Sequence, residues 1–218
     1  MGFQGFDLFD VERDEFNRQF HEVVLPLFEV SHEGVAARAF EIESEYREAL
    51  SKATSEADEI NAQGWAVYKE TSLDEQKEML GAASLNVLNL ALRDGLQSMS
   101  RYFNGSHPPR GSYQGKSWLR RRQAEFDDRF GIDFEKSPAE FARIEELVLA
   151  RNAGIHPDEA TRKEYEQAII SPRFLRYGLF SVEKDALIES FRNANRFLEW
   201  VWDELKRIRL QNNPKQQR

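Results

Sequence analysis

The stretch Ile144-Glu-Glu-Leu-Val-Leu-Ala-Arg-Asn-Ala-Gly-Ile-His156 indicates both the fold class and the candidate site of this chain. Its apolar residues recur at helical spacing, which predicts an amphipathic helix that buries Phe141, Ile144, Leu147 and Val148. Arg151 and Asn152 fall near the end of this helix, and His156 follows it. The sequence therefore places a permanent cation, an amide and a titratable imidazole at one helix terminus.

Helical periodicity dominates the rest of the chain, and alternating strand patterns are nearly absent, so the sequence predicts an all-α fold. A first helix is expected around Phe16, with an interruption at Pro26. A second helix is expected from about Val35 to Ile60. The capping box Ser72-x-x-Glu75 predicts the start of a long helix that reaches about Phe103.

The second half of the chain carries clearer start and stop signals. Three glycines and a Pro-Pro pair predict an exposed loop over residues 104–117. The box Ser137-Pro138-Ala-Glu140 predicts the start of the helix that carries Arg151. The remaining predicted elements are a short helix Trp118–Phe130, a helix start at Pro157-Asp158-Glu159, an extended stretch Phe174–Phe180 and a long terminal helix with an apolar stripe over Leu187–Ile208.

Charge is distributed unevenly along the chain, whose net charge is −8. Residues 1–70 carry 16 acidic and 6 basic side chains, whereas residues 71–218 carry 22 acidic and 24 basic ones. We therefore expect three parts: an acidic N-terminal helical region (1–70), a helical domain (71–210) and a disordered polar tail (211–218). The acidic region either shields a basic cleft or extends the core or a dimer.

Composition excludes several classes of protein. No apolar run approaches the ~18 residues of a membrane span, and the N-terminus lacks the pattern of a secretory signal. The chain has no cysteine, so it has no disulfide or thiolate site, and it suits a reducing compartment such as the cytoplasm. The four histidines are His21, His32, His107 and His156, and they are too scattered along the sequence to predict a metal site. Nothing in the sequence indicates a cofactor.

The motif and the helix that leads into it resemble the HEPN superfamily of all-helical domains. That family carries an Arg-x4-6-His motif, commonly with Asn, Asp or His directly after the Arg, and Arg151, Asn152 and His156 match it. Its terminal helix is similar to residues 182–210. The resemblance covers about residues 71–210 and implies a HEPN-like helical bundle, with residues 1–70 as an additional helical region.

The resemblance implies a metal-independent endoribonuclease or a non-catalytic RNA- or protein-binding relative. Many members act in antiviral defence, in toxin–antitoxin pairs or in RNA processing, so a cognate antitoxin or defence partner is expected. In active members two protomers bring their motifs together, which implies a homodimer here. His156 would transfer protons, Arg151 would bind the phosphate of RNA, and Asn152 would orient either group.

Two residues that follow His156 depart from the family's pattern. Asp158 stands where one toxin subfamily has a modified Tyr, and Pro157 restricts the backbone after His156. The triple arginine Arg120, Arg121 and Arg122 is a weaker candidate for RNA binding, beside Trp118. Trp200 and Trp202 are expected in the core or in a dimer contact.

A bland interpretation stays open beside these candidates. In it Arg151 pairs with a carboxylate of a neighbouring helix, and Asn152 and Gly154 end the helix. His156 is then an ordinary loop histidine, and the chain is a plain helical interaction protein.

Overall fold

The computed structural model describes residues 8–104, 117–137, 140–156, 158–169, 172–176 and 179–212. These residues form seven α-helices and one short antiparallel strand pair, which confirms the all-α prediction. The elements in chain order are α1 (Leu8–Gln19), a π-helical turn (Phe20–Val24), α2 (Leu25–Lys52), α3 (Glu56–Asn104), α4 (Trp118–Phe130), a 3-10 turn (Phe134–Lys136), α5 (Phe141–Ile155), α6 (Glu159–Ala168), β1 (Leu175–Arg176), β2 (Leu179–Phe180) and α7 (Lys184–Asn212).

The N-terminal helix changes its hydrogen-bond pattern at Pro26 without breaking. Proline has no backbone N–H, so it cannot donate to a carbonyl one turn earlier. Pro26 lies in the first turn of α2, where that donor is not needed, and the π-helical turn Phe20–Val24 joins α1 to α2. The predicted interruption is therefore a local change of helix type.

Two predicted boundaries in the first half of the chain are wrong. The helix expected to reach Ile60 ends at Lys52, and a new helix begins at Glu56 and runs without a break to Asn104. Ser55 caps this helix, because its Oγ accepts from the backbone N–H of Asp58 at 3.3 Å. Ser72 therefore lies inside α3 and opens no helix.

Residues 29–80 form an antiparallel helical hairpin, here called the arm. It consists of most of α2 and the first half of α3, joined by a short turn at residues 53–55. A small apolar cluster of its own holds the two helices together; it contains Val35, Ile42 and Leu73, with Trp65 and Leu80 packed against it. The apolar cluster of the arm is thus separate from the main core.

The rest of the described chain, here called the body, surrounds the main core. It comprises residues 8–28 and 81–212 and buries apolar side chains of α1, α3, α4, α5 and α7. Phe16 and Phe20 stack on Phe191 of α7, with ring centroids 5.3 and 3.8 Å apart. Position 70, the expected domain boundary, lies within α3, and aromatic residues from before it belong to the main core.

Several later elements agree with the sequence. Helix α4 has the predicted bounds, α6 follows Asp158, and the extended stretch forms β1 and β2, with Leu175 opposite Phe180. In α7, Trp202 is buried and Trp200 is partly buried against the core.

The predicted start of α5 at Ser137-Pro138 is wrong. The helix begins at Phe141, because Glu140 adopts a left-handed conformation with φ 49° that a helix cannot contain. Pro138 and Ala139 lie outside the described residues, as does most of the predicted loop, residues 105–116. The first two residues of the predicted disordered tail, Gln211 and Asn212, belong to α7, and residues 213–218 lie outside the described residues. No helix in the described ranges combines the length and the apolar character that crossing a membrane requires.

Candidate functional site

Helix α5 carries the candidate residues and packs closely against α3 near its end. A Cβ atom at Gly154 would lie 2.7 Å from Cε1 of Phe180 and 2.8 Å from Cβ of Ala82. Glycine therefore permits this close approach, and it does not end the helix, which continues to Ile155. As predicted, the buried face of α5 includes Phe141, Ile144, Leu147 and Val148.

Arg151 is half-buried and is held by two amide oxygens. Its Nε donates to Oδ1 of Asn86 on α3 at 2.8 Å, and its Nη1 donates to Oδ1 of Asn152 at 3.0 Å. Within the described part of the chain, no carboxylate forms an ion pair with Arg151, contrary to the bland interpretation. Since amide oxygens carry no net charge, the guanidinium is positioned without being neutralised.

His156 lies directly after α5, in the position that the sequence predicted. Its backbone N–H donates to the carbonyl oxygen of Asn152 at 2.8 Å, and its side chain is exposed. Pro157, which the sequence predicts to restrict the backbone after His156, lies outside the described residues. Arg151, Asn152 and His156 therefore occupy the last turn and a half of one helix and its cap.

The neighbouring start of α6 does not offer a second place for an anion. Helix N-termini attract anions through their free backbone N–H groups. Here Oδ1 of Asp158 accepts from the backbone N–H of Thr161 at 2.9 Å, and Oδ2 accepts from its hydroxyl at 2.8 Å. The same hydrogen bonds hold the pKa of Asp158 below its ordinary value. Arg151 is therefore the candidate group for attracting an anion at this end of α5.

A buried carboxylate links α5 to α6 and to the segment before β1. Glu146 is 0% exposed and accepts from the hydroxyl of Tyr165 on α6 at 3.1 Å. It also accepts from the backbone N–H and Nε of Arg173 at 2.7 and 2.8 Å, and from Nη1 of Arg143 at 3.0 Å. Arg173 in turn approaches Ser190 of α7. The network sets the position of the helix that carries Arg151.

Burial and the charges of this network shift the pKa values of both Glu146 and Tyr165. Burial alone would raise the pKa of Glu146, but the hydrogen bonds and positive charge of Arg173 outweigh it and lower that pKa. Burial raises the pKa of the Tyr165 hydroxyl, and the negative charge of Glu146 raises it further. Glu146 is therefore a structural anion, and Tyr165 stays a neutral donor.

Two of the three consecutive arginines at the start of α4 are engaged with carboxylates. Nη2 of Arg120 lies 2.6 Å from Oε2 of Glu145, and its Nη1 lies 2.9 Å from Oε1 of Glu135. Arg122 pairs with the buried Glu125. Arg121 is exposed, and no carboxylate among the described residues pairs with it. This cluster therefore offers one uncommitted cation rather than three.

The sequence did not single out the amides that α3 contributes. Asn86 holds Arg151, and one turn later the buried Asn89 accepts from Nε1 of Trp118 at 3.1 Å. Trp118 is partly buried against the core. The available signal was the presence of two amides within the apolar run of Leu85, Leu88 and Leu92, where an unpaired polar group would be costly.

The residues that the structure describes include no group of three or more His, Asp or Glu side chains placed to hold a metal ion. Comparison of the chain with protein-family models, with curated proteins and with solved structures gave no match.

Proposed function

We propose that this chain is a metal-independent endoribonuclease of HEPN type, with a HEPN-like arrangement of residues 71–210, and that Arg151, Asn152 and His156 form its active site. The observation that supports the proposal best is the environment of Arg151. A half-buried guanidinium that is held by amide oxygens keeps its full positive charge and a fixed orientation. Such a group suits a phosphodiester of charge −1, whose oxygens accept hydrogen bonds from the planar N–H donors of the guanidinium.

The proposed reaction needs two proton transfers at one phosphate. A base removes the proton of the ribose 2′-OH, and the 2′-oxygen attacks phosphorus. The bond from phosphorus to the 5′-oxygen breaks, and an acid protonates that oxygen, which leaves a 2′,3′-cyclic phosphate and a 5′-hydroxyl. Arg151 stabilises the negative charge that develops on the phosphoryl oxygens. DNA lacks the 2′-OH and is not a substrate.

Proton transfer is the reason that the proposal includes a homodimer. Of the histidines in the described part of the chain, His21 and His32 pack against phenylalanines of the N-terminal helices. His107 lies outside the described residues. Among the described residues one copy therefore brings one imidazole, His156, to the site, and we propose that a second copy supplies the other. RNA as substrate, a cognate antitoxin or defence partner, and a cytoplasmic location belong to the same proposal.

Cleavage of a short, end-labelled single-stranded RNA in the presence of EDTA tests the proposal. We expect cyclic-phosphate ends, no cleavage of the same sequence as DNA, and loss of cleavage in Arg151→Ala and His156→Ala. Arg151→Lys also fails, because an ammonium group lacks the planar donors. Asn86→Ala weakens cleavage, because it frees the guanidinium from α3.

The matched control for the arginine variants is Arg192→Ala, which changes an exposed arginine of α7 and leaves cleavage intact. Cleavage that survives in His156→Ala removes the proposed acid and base, and with them the mechanism. The presence of a single imidazole at the described site of one copy favours one alternative, a non-catalytic RNA- or protein-binding module. That alternative predicts RNA that is bound through Arg151 but not cut.

A further inference from the structure

Exposed large apolar side chains concentrate on the arm. Of the twelve in the described chain, seven lie in residues 29–80: Val30, Phe40, Leu50, Ile60, Val67, Tyr68 and Met79. The apolar seam inside the hairpin does not use them, because it consists of Val35, Ile42 and Leu73 with their neighbours. The arm therefore shows apolar surface that the chain itself does not cover.

On α3 this surface forms one continuous stripe, here called the docking face. Ile60, Gly64, Val67 and Thr71 follow one another at intervals of four, three and four residues, which places them on one side of the helix. Ile60 is 61% exposed and Val67 is 56% exposed. The buried residues Ala62 and Ala66 lie on the other side, toward α2.

Gly64, in the middle of the docking face, has no packing role within the chain. A Cβ atom there would meet no heavy atom within 4 Å. In the body, by contrast, a Cβ at Gly81 would lie 2.7 Å from the side chain of Val182, just before α7, and a Cβ at Gly95 would lie 3.3 Å from the side chain of Leu198 in α7. A glycine inside a helix is unfavourable, so an open one fits a site where another backbone approaches from outside.

The charges beside the docking face indicate the chemistry of the partner. The arm has 13 acidic and 5 basic side chains. Four of its cations pair with its own carboxylates, and the fifth, Lys69, lies over Trp65. Among the described residues no cation pairs with four carboxylates of α3, namely Glu56, Glu59, Glu70 and Glu75.

We propose that the docking face of α3 binds a basic amphipathic helix of a partner protein. The apolar residues of that helix pack on Ile60 and Val67 across Gly64, and its Lys or Arg residues pair with the flanking glutamates. A second copy of this chain fits less well, since the same face would bring like charges together. This interaction is independent of the proposed RNA cleavage.

The test uses a fluorescent synthetic peptide of leucine and lysine at helical spacing, and a scrambled peptide of the same composition. We expect the amphipathic peptide to bind the full chain and to bind about tenfold more weakly to the double variant Ile60→Ser, Val67→Ser. Val11→Ser is the matched control, because Val11 is 44% exposed on α1, outside the arm, and its loss leaves binding unchanged. Added salt weakens binding, because the flanking pairs are exposed.

Three results would overturn the proposal. Equal binding by the double variant means that charge alone attracts the peptide. Equal binding of the scrambled peptide means that the face does not recognise a helix. Light scattering that finds a wild-type dimer, and a monomer for the double variant, means that a second copy covers the face. Circular dichroism controls for folding, and both substituted side chains are exposed.

Discussion

The arm and the body are both helical, but interactions of different range hold them together. Ion pairs within the arm join residues of the same helix, most of them three or four positions apart, such as Arg47 with Glu43. The body also has local pairs, such as Arg122 with Glu125, but it adds ion pairs that join different elements, such as Arg173 with Glu146 and Arg120 with Glu145. The arm is thus stabilised mainly by local contacts and a narrow seam, whereas the body depends on contacts that only the complete fold provides.

The largest expected difference concerns the buried carboxylate of the body. Glu146→Gln removes the buried counter-charge of Arg173 and leaves its guanidinium only the half-exposed carboxylate of Glu189, so we expect unfolding free energy to fall by about 3 kcal/mol. Glu43→Gln in the arm breaks an exposed pair with Arg47 and is expected to change little. Urea denaturation followed by circular dichroism measures both. Similar losses in the two variants would remove the distinction between arm and body.

Glycine substitutions are expected to have opposite signs in the two regions. Gly154→Ala forces a methyl group against Phe180 and Ala82, and overpacking of this kind costs about 1–3 kcal/mol. Gly64→Ala meets no atom and raises helix propensity, so it stabilises the chain by about 0.5–1 kcal/mol. Thermal melting of the two variants side by side checks the signs. Destabilisation by Gly64→Ala would show that the arm packs more tightly than described.

Acid is expected to destabilise the body through Glu146. Because the folded state holds the pKa of Glu146 below its ordinary value of 4.5, the unfolded state binds the proton more readily. The stabilisation is therefore present above about pH 4.5 and is lost as the pH falls through the folded-state pKa. Denaturation at several pH values should show a shallower acid decline in Glu146→Gln. If the unfolding free energy falls equally steeply with decreasing pH in Glu146→Gln and in the wild type, other carboxylates cause the loss of stability in acid.

The last contrast, which includes the smallest expected effect, is between Ser55, which caps α3, and Ser72, which lies inside it. Ser55→Ala removes the cap of the helix and is expected to cost about 1 kcal/mol, with faster hydrogen exchange near the tip of the arm. Ser72→Ala, inside the helix, is expected to cost nothing. A larger loss of unfolding free energy in Ser72→Ala than in Ser55→Ala would indicate that Ser72 caps a helix start after all, as its capping box predicts.

These serines also show why the first half of the chain was difficult to predict. Ser55-x-x-Asp58 and Ser72-x-x-Glu75 are similar local signals, and only the first begins a helix. Residues near Ser72 stay helical because Leu73 packs against the arm's other helix, which the sequence pattern does not reveal. Later elements such as α4 were predicted well because their signals coincide with their packing.

The candidate site likewise has a part that local sequence predicts and a part that depends on distant residues. Its three motif residues lie within six positions of each other, so helical periodicity was enough to place Arg151, Asn152 and His156 at one helix end. The oxygen that orients the guanidinium comes from Asn86, 65 positions away on α3. Periodicity carries no information about which distant helix will supply such a partner.

The sequence by itself determined the all-α class, the amphipathic helix α5 and the order of groups at its end, because each depends on residues within one or two turns. The tertiary structure decided that α3 runs unbroken through position 70, that amides rather than carboxylates hold Arg151, and that Glu146 is buried. These outcomes depend on which surfaces meet across the fold. That choice is set by packing and by the desolvation of polar groups, and it is not encoded in any local window.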